Sequence, residues 1–456
     1  MVVSSGMALD CVVIGGGIAG LAAGYELQQR GASYVVLDAA PRPGGVILSE
    51  QIDGFTIDAG PDALLIQKPE AIALCKAIGL ADRLVPTTPP RQSFIQRAGR
   101  LHPLPAGSVL GIPTSVAPFL RTRLFSPIGK MRMGAELLVP RRTDDRDESI
   151  GAFMTRRFGR EATEYLAEPL LAGIHAGDVD RLSLKSLFPR FIDAERKHGS
   201  LIRAFRTQSS QPTADGAFLS LPGGLSEMVC ALVRHLGGEH LRLSTRATAI
   251  EGRGPFVVHT ATADRLETRA VIIATPSHAA AALLRDRDAE LAAWCDEVPY
   301  ASVATVALAF NRDSVAHPLN GSGFVVPRAE NTGILAASWL SSKWPNRAPA
   351  GRALLRTFIG GARDPRALDD EDPELVSRSL NALRPLLGIS GEPLFTCVYR
   401  WNRANAQHEV GHAARLGAIE RALSRHPGLF VTGSGFRGVG IPDCVADGRR
   451  TARLLP

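Results

Sequence analysis

Aromatic residues are scarce in this chain: five Tyr and four Trp stand among 456 residues, and all aromatics together make up 6%. An aromatic cage around a cationic ligand has little to draw on. The six cysteines, Cys11, Cys75, Cys230, Cys295, Cys397 and Cys444, are scattered. No two form a C-x-x-C pair, which excludes the zinc and dithiol spacings and reads as small core residues in a reducing compartment. No metal site is expected. Long apolar runs are missing too, so no segment is expected to span a bilayer. Met1 to Asp10 shows neither a basic n-region nor an apolar h-region. The expectation is a soluble or peripheral protein, cytoplasmic or on the inner face of the cell membrane.

What is present is an ordinary globular balance, 45% hydrophobic and 21% charged, in a chain long enough for two or three domains. Lys and Arg outnumber Asp and Glu by 52 to 45, a net charge of +7. That mild basicity suits an anionic substrate or an acidic membrane surface, and nucleic acid is not expected as a partner. Helical and strand patterns alternate, which gives an α/β class.

The chain opens with the apolar run Cys11–Val12–Val13–Ile14, a buried-strand pattern. A glycine-rich turn follows, then a helix over Ala19 to Gln29 that Gly31 ends, then a strand over Tyr34 to Leu37. This is a βαβ unit. Pro86 to Pro90 marks a domain crossing, and Ser149 precedes a helix over Ile150 to Phe158. Further strands are predicted over 241–250, 256–260, 270–274, 303–310, 323–326, 334–339 and 429–433, with a last helix over 442–455.

Gly15-x-Gly17-x-x-Gly20 lies between the first strand and the first helix, the context in which this spacing binds a dinucleotide. Gly15 permits the tight turn, Gly17 lets a pyrophosphate approach the backbone, and Gly20 lets helix and strand pack closely. The phosphates then meet the positive end of the helix at Ile18 and Ala19. Asp38, eighteen residues after Gly20, is placed for an adenosine ribose, with Ala39 beside it. Arg42-x-Gly44-Gly45 and the turn Asp58–Ala59–Gly60–Pro61 continue the pattern along an extended cofactor. Ala247 joins this cofactor-binding set. Near the end, Gly433-x-Gly435-x-x-Gly438 has no βαβ unit after it. Its reading is a loop, with Gly433 and Gly440, that leads to a helix N-terminus at Ile441 and Pro442 facing the far end of the cofactor.

Arg-x-Gly-Gly after the ribose acid resembles flavoproteins related to monoamine oxidase and phytoene desaturase. The similarity narrows along the chain: Gly99-x-Leu101–His102-x-Leu104–Pro105-x-Gly107; Asp147–Glu148–Ser149; Glu168–Pro169–Leu170–Leu171–Ala172–Gly173–Ile174–His175–Ala176–Gly177–Asp178; Leu221–Pro222–Gly223–Gly224–Leu225; Gly323–Phe324–Val325–Val326–Pro327; Ser341–Ser342–Lys343–Trp344–Pro345; and Arg437–Gly438–Val439–Gly440–Ile441–Pro442–Asp443–Cys444. These stretches resemble the oxygen-dependent protoporphyrinogen and coproporphyrinogen oxidases.

The resemblance implies an α/β protein with a discontinuous Rossmann-type FAD-binding domain (1–88, 216–285 and 400–456). It also implies a helical membrane-associating domain (89–215, roughly Arg91 to Gln211) and a mixed-sheet substrate domain (286–399). The implied cofactor is FAD and the substrate a porphyrinogen. Protoporphyrinogen IX is the main expectation and coproporphyrinogen III the alternative, with dioxygen as acceptor. A second copy of the chain is a further expected partner. Gly173 is expected over the substrate ring near the flavin, its carbonyl toward a pyrrole N–H. Ile174, His175, Phe324, Val325 and Arg437 are the expected substrate contacts. Ser93 stands where family members often carry a propionate-binding Arg, before the aromatic at Phe94. The competing readings are an amine oxidase or carotenoid desaturase, and a porphyrin carrier without turnover.

Overall fold

The computed structural model describes residues 8–105, 108, 109, 112, 113, 116–207 and 216–455; Gly107 and Gln211, named above, lie outside them. The elements that place the site are, in chain order, β1 (Leu9–Ile14), α1 (Ile18–Gln29), β2 (Tyr34–Leu37), β3 (Ser93–Arg97), β4 (Arg100–Pro103), α2 (Pro127–Gly134) and α3 (Glu168–His175). Next come β5 (Leu241–Arg242), β6 (Ala247–Glu251), β7 (Phe256–Thr260), β8 (Arg265–Ile273), β9 (Tyr300–Asn311), β10 (Gly323–Val325) and β11 (Ala336–Trp339). The last are β12 (Arg352–Gly360), β13 (Phe395–Ala406), α4 (His412–Leu423), β14 (Leu429–Val431) and α5 (Ile441–Ala452).

Two sheets form the frame. The first runs β5-β2-β1-β8-β7-β6, with β14 also paired to β8. Its β5, β2, β1, β8 and β14 pair in parallel, while β7 pairs antiparallel with both β8 and β6. A parallel centre must be covered on both faces, which is why Val12, Val13 and Ile14 form an unbroken buried run. Each such side chain contributes about 1.5–3 kcal/mol on burial. The helices α1 and α5 cover one face. They approach closely because Gly448 of α5 lies on the carbonyl of Ala19, where a Cβ would overlap.

The second sheet runs β13-β9-β12-β11-β10-β3-β4. Here β3 pairs in parallel with β10 and antiparallel with β4, so residues 93–103 belong to this sheet rather than to a helical part. The expected boundary at 399/400 falls inside β13. The helical layer proper spans residues 116–207. Its anchor is the fully buried Arg157, which pairs with Glu136 and with Glu195 (3.3 Å) and donates to the carbonyls of Val139 (3.0 Å) and Gly199 (2.8 Å). Among the described residues no helix is long and apolar enough to cross a membrane.

Candidate active site

Three glycine turns converge at the C-terminal edge of the first sheet. Gly15 has φ +116°, and a side chain there would press on the backbone of Ala274. A Cβ on Gly20 would overlap the carbonyl of Gly15. Gly17 differs from both: no atom lies within 4 Å of where its Cβ would be. It is also the N-cap of α1 and supplies no side-chain cap, so the positive helix end is left for a ligand. The second turn docks on the first through Gly44, whose N–H donates to the carbonyl of Gly16 at 2.8 Å. Gly45 then lies against Gly17. The Arg42 guanidinium wraps its own loop, donating to the carbonyls of Gly45 (2.7 Å) and Ile47 (3.3 Å). The third turn follows, with Gly60 on the carbonyl of Val46.

Asp38 holds the first turn in place. Its Oδ2 accepts from the Gly16 N–H at 2.6 Å and its Oδ1 from Ala40 at 2.7 Å. Further lone pairs remain on each oxygen for a sugar hydroxyl. The backbone of Ser244 and Thr245 bonds to Ala40 and Asp38, which brings Ala247 to the Asp38–Ala39 segment. Gly433, with φ +111°, lies beside Ala19 and donates to Asp447 at 3.2 Å. α5 starts at Ile441 with Gly440 as N-cap, and Asp443 in its first turn pairs with Lys68 at 2.7 Å. The loop before α5 is held by two buried, stacked histidines. His408 donates to the carbonyl of Ser434 (2.9 Å) and His412 to that of Phe436 (2.7 Å). Burial pushes His408 down to about 3, so it stays neutral. The open space at Gly17, the uncapped α1 and the chain of backbone-lined turns fit an extended dinucleotide such as FAD.

The face of the second sheet that meets these turns carries residues that sequence reasoning missed. Thr305 on β9 and Trp401 on β13 both donate to the carbonyl of Ala59, at 2.7 and 3.1 Å. Arg356 on β12 donates to the carbonyls of Asp58 and Gly60, the latter at 2.7 Å. Every carbonyl from Asp58 to Gly60 is thus held by a side chain from the second sheet. In register along this face stand Val325, Ala336, Phe358, Thr305 and Tyr399. Phe358 is half-buried in a strand whose other members, apart from Arg352, are buried. Hydrophobic alternation in β9–β13 marks one face of each strand, but pairing across 100 residues is not written in any local pattern.

α3 lies over this row. A Cβ on Gly173 would stand 3.1 Å from Val325 and 3.6 Å from Ala336. The helix closes with Ala176 at φ +52°, whose N–H takes the carbonyl of Ala172 at 2.9 Å. The Gly173 carbonyl, in the same last turn, has no backbone partner among the described residues. Ile174 is 61% exposed. His175 is half-buried, and burial together with the Lys68 charge pushes it down to about 4.

Two expected contacts are placed elsewhere. Phe324 is 2% exposed and packs in the core beside Trp339 and Phe94, because strand alternation sends it to the opposite face from Val325. Arg437 is bound to Glu420 (2.9 Å) and Asp447 (3.4 Å), and it donates to the carbonyl of Val431. It lines a groove of about 370 Å³ with Leu423, Phe430 and Leu454, none of which borders Gly173.

The chain is similar to known proteins along nearly its whole length. The family model for flavin containing amine oxidoreductases matches residues 18–456. A coproporphyrinogen III oxidase of Bacillus subtilis (strain 168) is 39% identical, over 96% of each chain. Protoporphyrinogen oxidase 1, chloroplastic, of Arabidopsis thaliana is 30% identical, over 97% of this chain and 87% of its own. Among solved structures, a protein of Exiguobacterium sp. 255-15 named as a protoporphyrinogen oxidase superposes with a TM-score of 0.88 at 32% identity, covering 98% of this chain and 99% of its own.

Proposed function

Since the chain belongs to the flavin containing amine oxidoreductases, and within them to the porphyrinogen oxidases, we propose that it oxidises coproporphyrinogen III to coproporphyrin III. The observation that carries this is the end of α3, packed through Gly173 on the apolar row Val325–Ala336–Phe358, on the sheet face that grips Gly60. An apolar row beside a backbone carbonyl without a partner suits a flat, apolar ring that carries N–H groups. The choice of coproporphyrinogen rests on the relatives so named, at 39% identity against 30% for the chloroplast protoporphyrinogen oxidase. Protoporphyrinogen IX is the second reading, favoured by the Exiguobacterium structure.

FAD, when bound, accepts the hydride equivalents that the macrocycle gives up in successive two-electron steps, and dioxygen is the proposed final acceptor. The chain's own residues bind and orient. Gly17, Gly45 and the α1 N-terminus would hold the pyrophosphate, and Asp38 would hold the ribose. The free carbonyl of Gly173 orients a pyrrole N–H, while Val325, Ala336 and Phe358 keep water from the reacting carbon. No side-chain acid or base is required. The test compares porphyrin fluorescence growth from the two porphyrinogens. The coproporphyrinogen rate is expected to exceed the other by tenfold or more in kcat/KM; a ratio reversed by that much contradicts the choice.

A peripheral membrane surface is the second part of the proposal. Around α2, Leu120, Ile128, Met131 and Leu138 are 61%, 75%, 68% and 84% exposed, with Arg121 and Arg123 exposed nearby. Apolar side chains beside basic ones suit an anionic lipid surface. The protein is expected to sediment with phosphatidylglycerol vesicles, and an Ile128→Asp, Met131→Asp variant to stay in the supernatant. Equal sedimentation of the two would remove this surface from the account.

A further inference from the structure

The turn that carries Gly60 and Pro61 rests on buried charges that do not balance. Asp58 pairs with Arg347 at 2.9 Å, and both side chains are fully buried. Asp62 pairs with Lys343 at 2.7 Å and with Arg356 at 3.2 Å, and accepts from the Trp344 indole at 2.8 Å. Three cations therefore face two carboxylates. No third carboxylate pairs with Arg347, Arg356 or Lys343 among the described residues. Burial alone would push the Asp62 carboxyl up; Lys343 and Arg356 override it and hold Asp62 well below the usual carboxylate range. Burial also pushes Asp58 up, against the pull of Arg347. With Asp58 ionised the excess is one positive charge; with Asp58 protonated it is two.

That excess is directed at the backbone of the cofactor cradle. The Arg356 guanidinium donates to the carbonyl of Gly60 at 2.7 Å. Gly60 adjoins Val46, next in sequence to Gly45, which itself lies on Gly17. The charged base thus underlies the cradle beyond the pyrophosphate turn; Arg347 and Arg356 are buried and Lys343 is 14% exposed, so water screens it weakly.

We propose that Arg347, Arg356 and Lys343, undercompensated by Asp58 and Asp62, act as an electropositive base that raises the midpoint potential of the bound flavin. The reduction concerned adds two electrons and one proton to the neutral oxidised ring and leaves it with one negative charge, which the excess cation stabilises. The inference rests on the FAD site described above and does not depend on the choice of substrate. These residues are positioning and electrostatic groups that act through the loop they support.

The experiment uses flavin-loaded protein. It reads the midpoint potential by slow reduction against a reference dye, and the dissociation constant of the sulfite adduct, which is also an anion. Lys343→Met removes a cation and is expected to lower the potential and weaken sulfite binding about tenfold. Asp62→Asn removes an anion and is expected to shift both readouts the opposite way. Lys343→Arg keeps the charge and should match the parent. A merely structural role would move Met and Asn variants in one direction, or neither, and either result overturns the proposal. Should Asp62→Asn fail to fold, the Lys343 pair decides: a Met variant at parental potential, or an Arg variant that falls as far as Met, overturns it. A parent protein that retains no flavin would instead refute the site assignment itself.

Discussion

Gly17→Ala is expected to fold like the parent and to lose its FAD. The position has φ −70° and ψ 176°, which any residue adopts, and no protein atom within 4 Å of the new methyl. Folding should therefore be neutral, or gain about 0.4–1 kcal/mol from a stiffer unfolded chain. The methyl points into the space before the uncapped α1, where a pyrophosphate must approach the backbone. A rise in the FAD dissociation constant of about 100-fold is expected, or ~2.8 kcal/mol at 1.4 kcal/mol per decade. Gly20→Ala provides the contrast. Its Cβ would overlap the Gly15 carbonyl, so that variant should be unstable before any ligand is considered. Apoprotein melting separates the two, and FAD titration reads the first. A Gly17→Ala protein that purifies with parental flavin content would show that the cradle lies elsewhere.

The second large effect is expected at Gly173. The close approach of α3 to the second sheet depends on the absence of a side chain there: a Cβ would stand 3.1 Å from Val325 and 3.6 Å from Ala336. Gly173→Leu would push the end of α3 away from Val325 and displace the carbonyls of its last turn. Helix propensity would rise by about 0.8–1 kcal/mol, so loss of the helix itself is not expected. Turnover of porphyrinogen should fall at least about 100-fold in kcat/KM, some 2.7 kcal/mol at 1.36 kcal/mol per decade, while flavin content stays parental. Parental turnover would place the substrate away from this end of α3. Flavin loss would instead mean that α3 supports the cofactor directly.

Much of the first domain was legible in the sequence, because its signals are local. Gly15, Gly17 and Gly20 each have their own contact or open space within the turn, and Asp38 comes at the end of the next strand, at the spacing a βαβ unit sets. The helix over Ile150–Phe158 with Ser149 as its N-cap is equally local, its hydroxyl accepting from Ala152 at 3.1 Å. The second sheet was legible as strands but not as a surface. Phe324 and Val325 were grouped by adjacency, whereas period-two alternation puts one in the core and the other toward Gly173. Residues 93–103 carry no mark that they add to β10, more than 200 positions away. Thr305, Arg356 and Trp401 look like ordinary strand residues until pairing aligns them under the carbonyls of 58–60. Arg437 sits inside a motif, yet its charge answers Glu420 and Asp447, which only the packing of α4 against the loop before α5 reveals.

The most direct test is spectral: flavin-loaded protein is mixed with coproporphyrinogen III in the absence of oxygen. The flavin absorbance should bleach as porphyrin fluorescence appears, one porphyrin for every three flavins reduced, and air should restore the colour. Porphyrin forming beside an unbleached flavin, or a flavin that porphyrinogen leaves oxidised, would contradict the claim that these turns hold the electron acceptor for this ring.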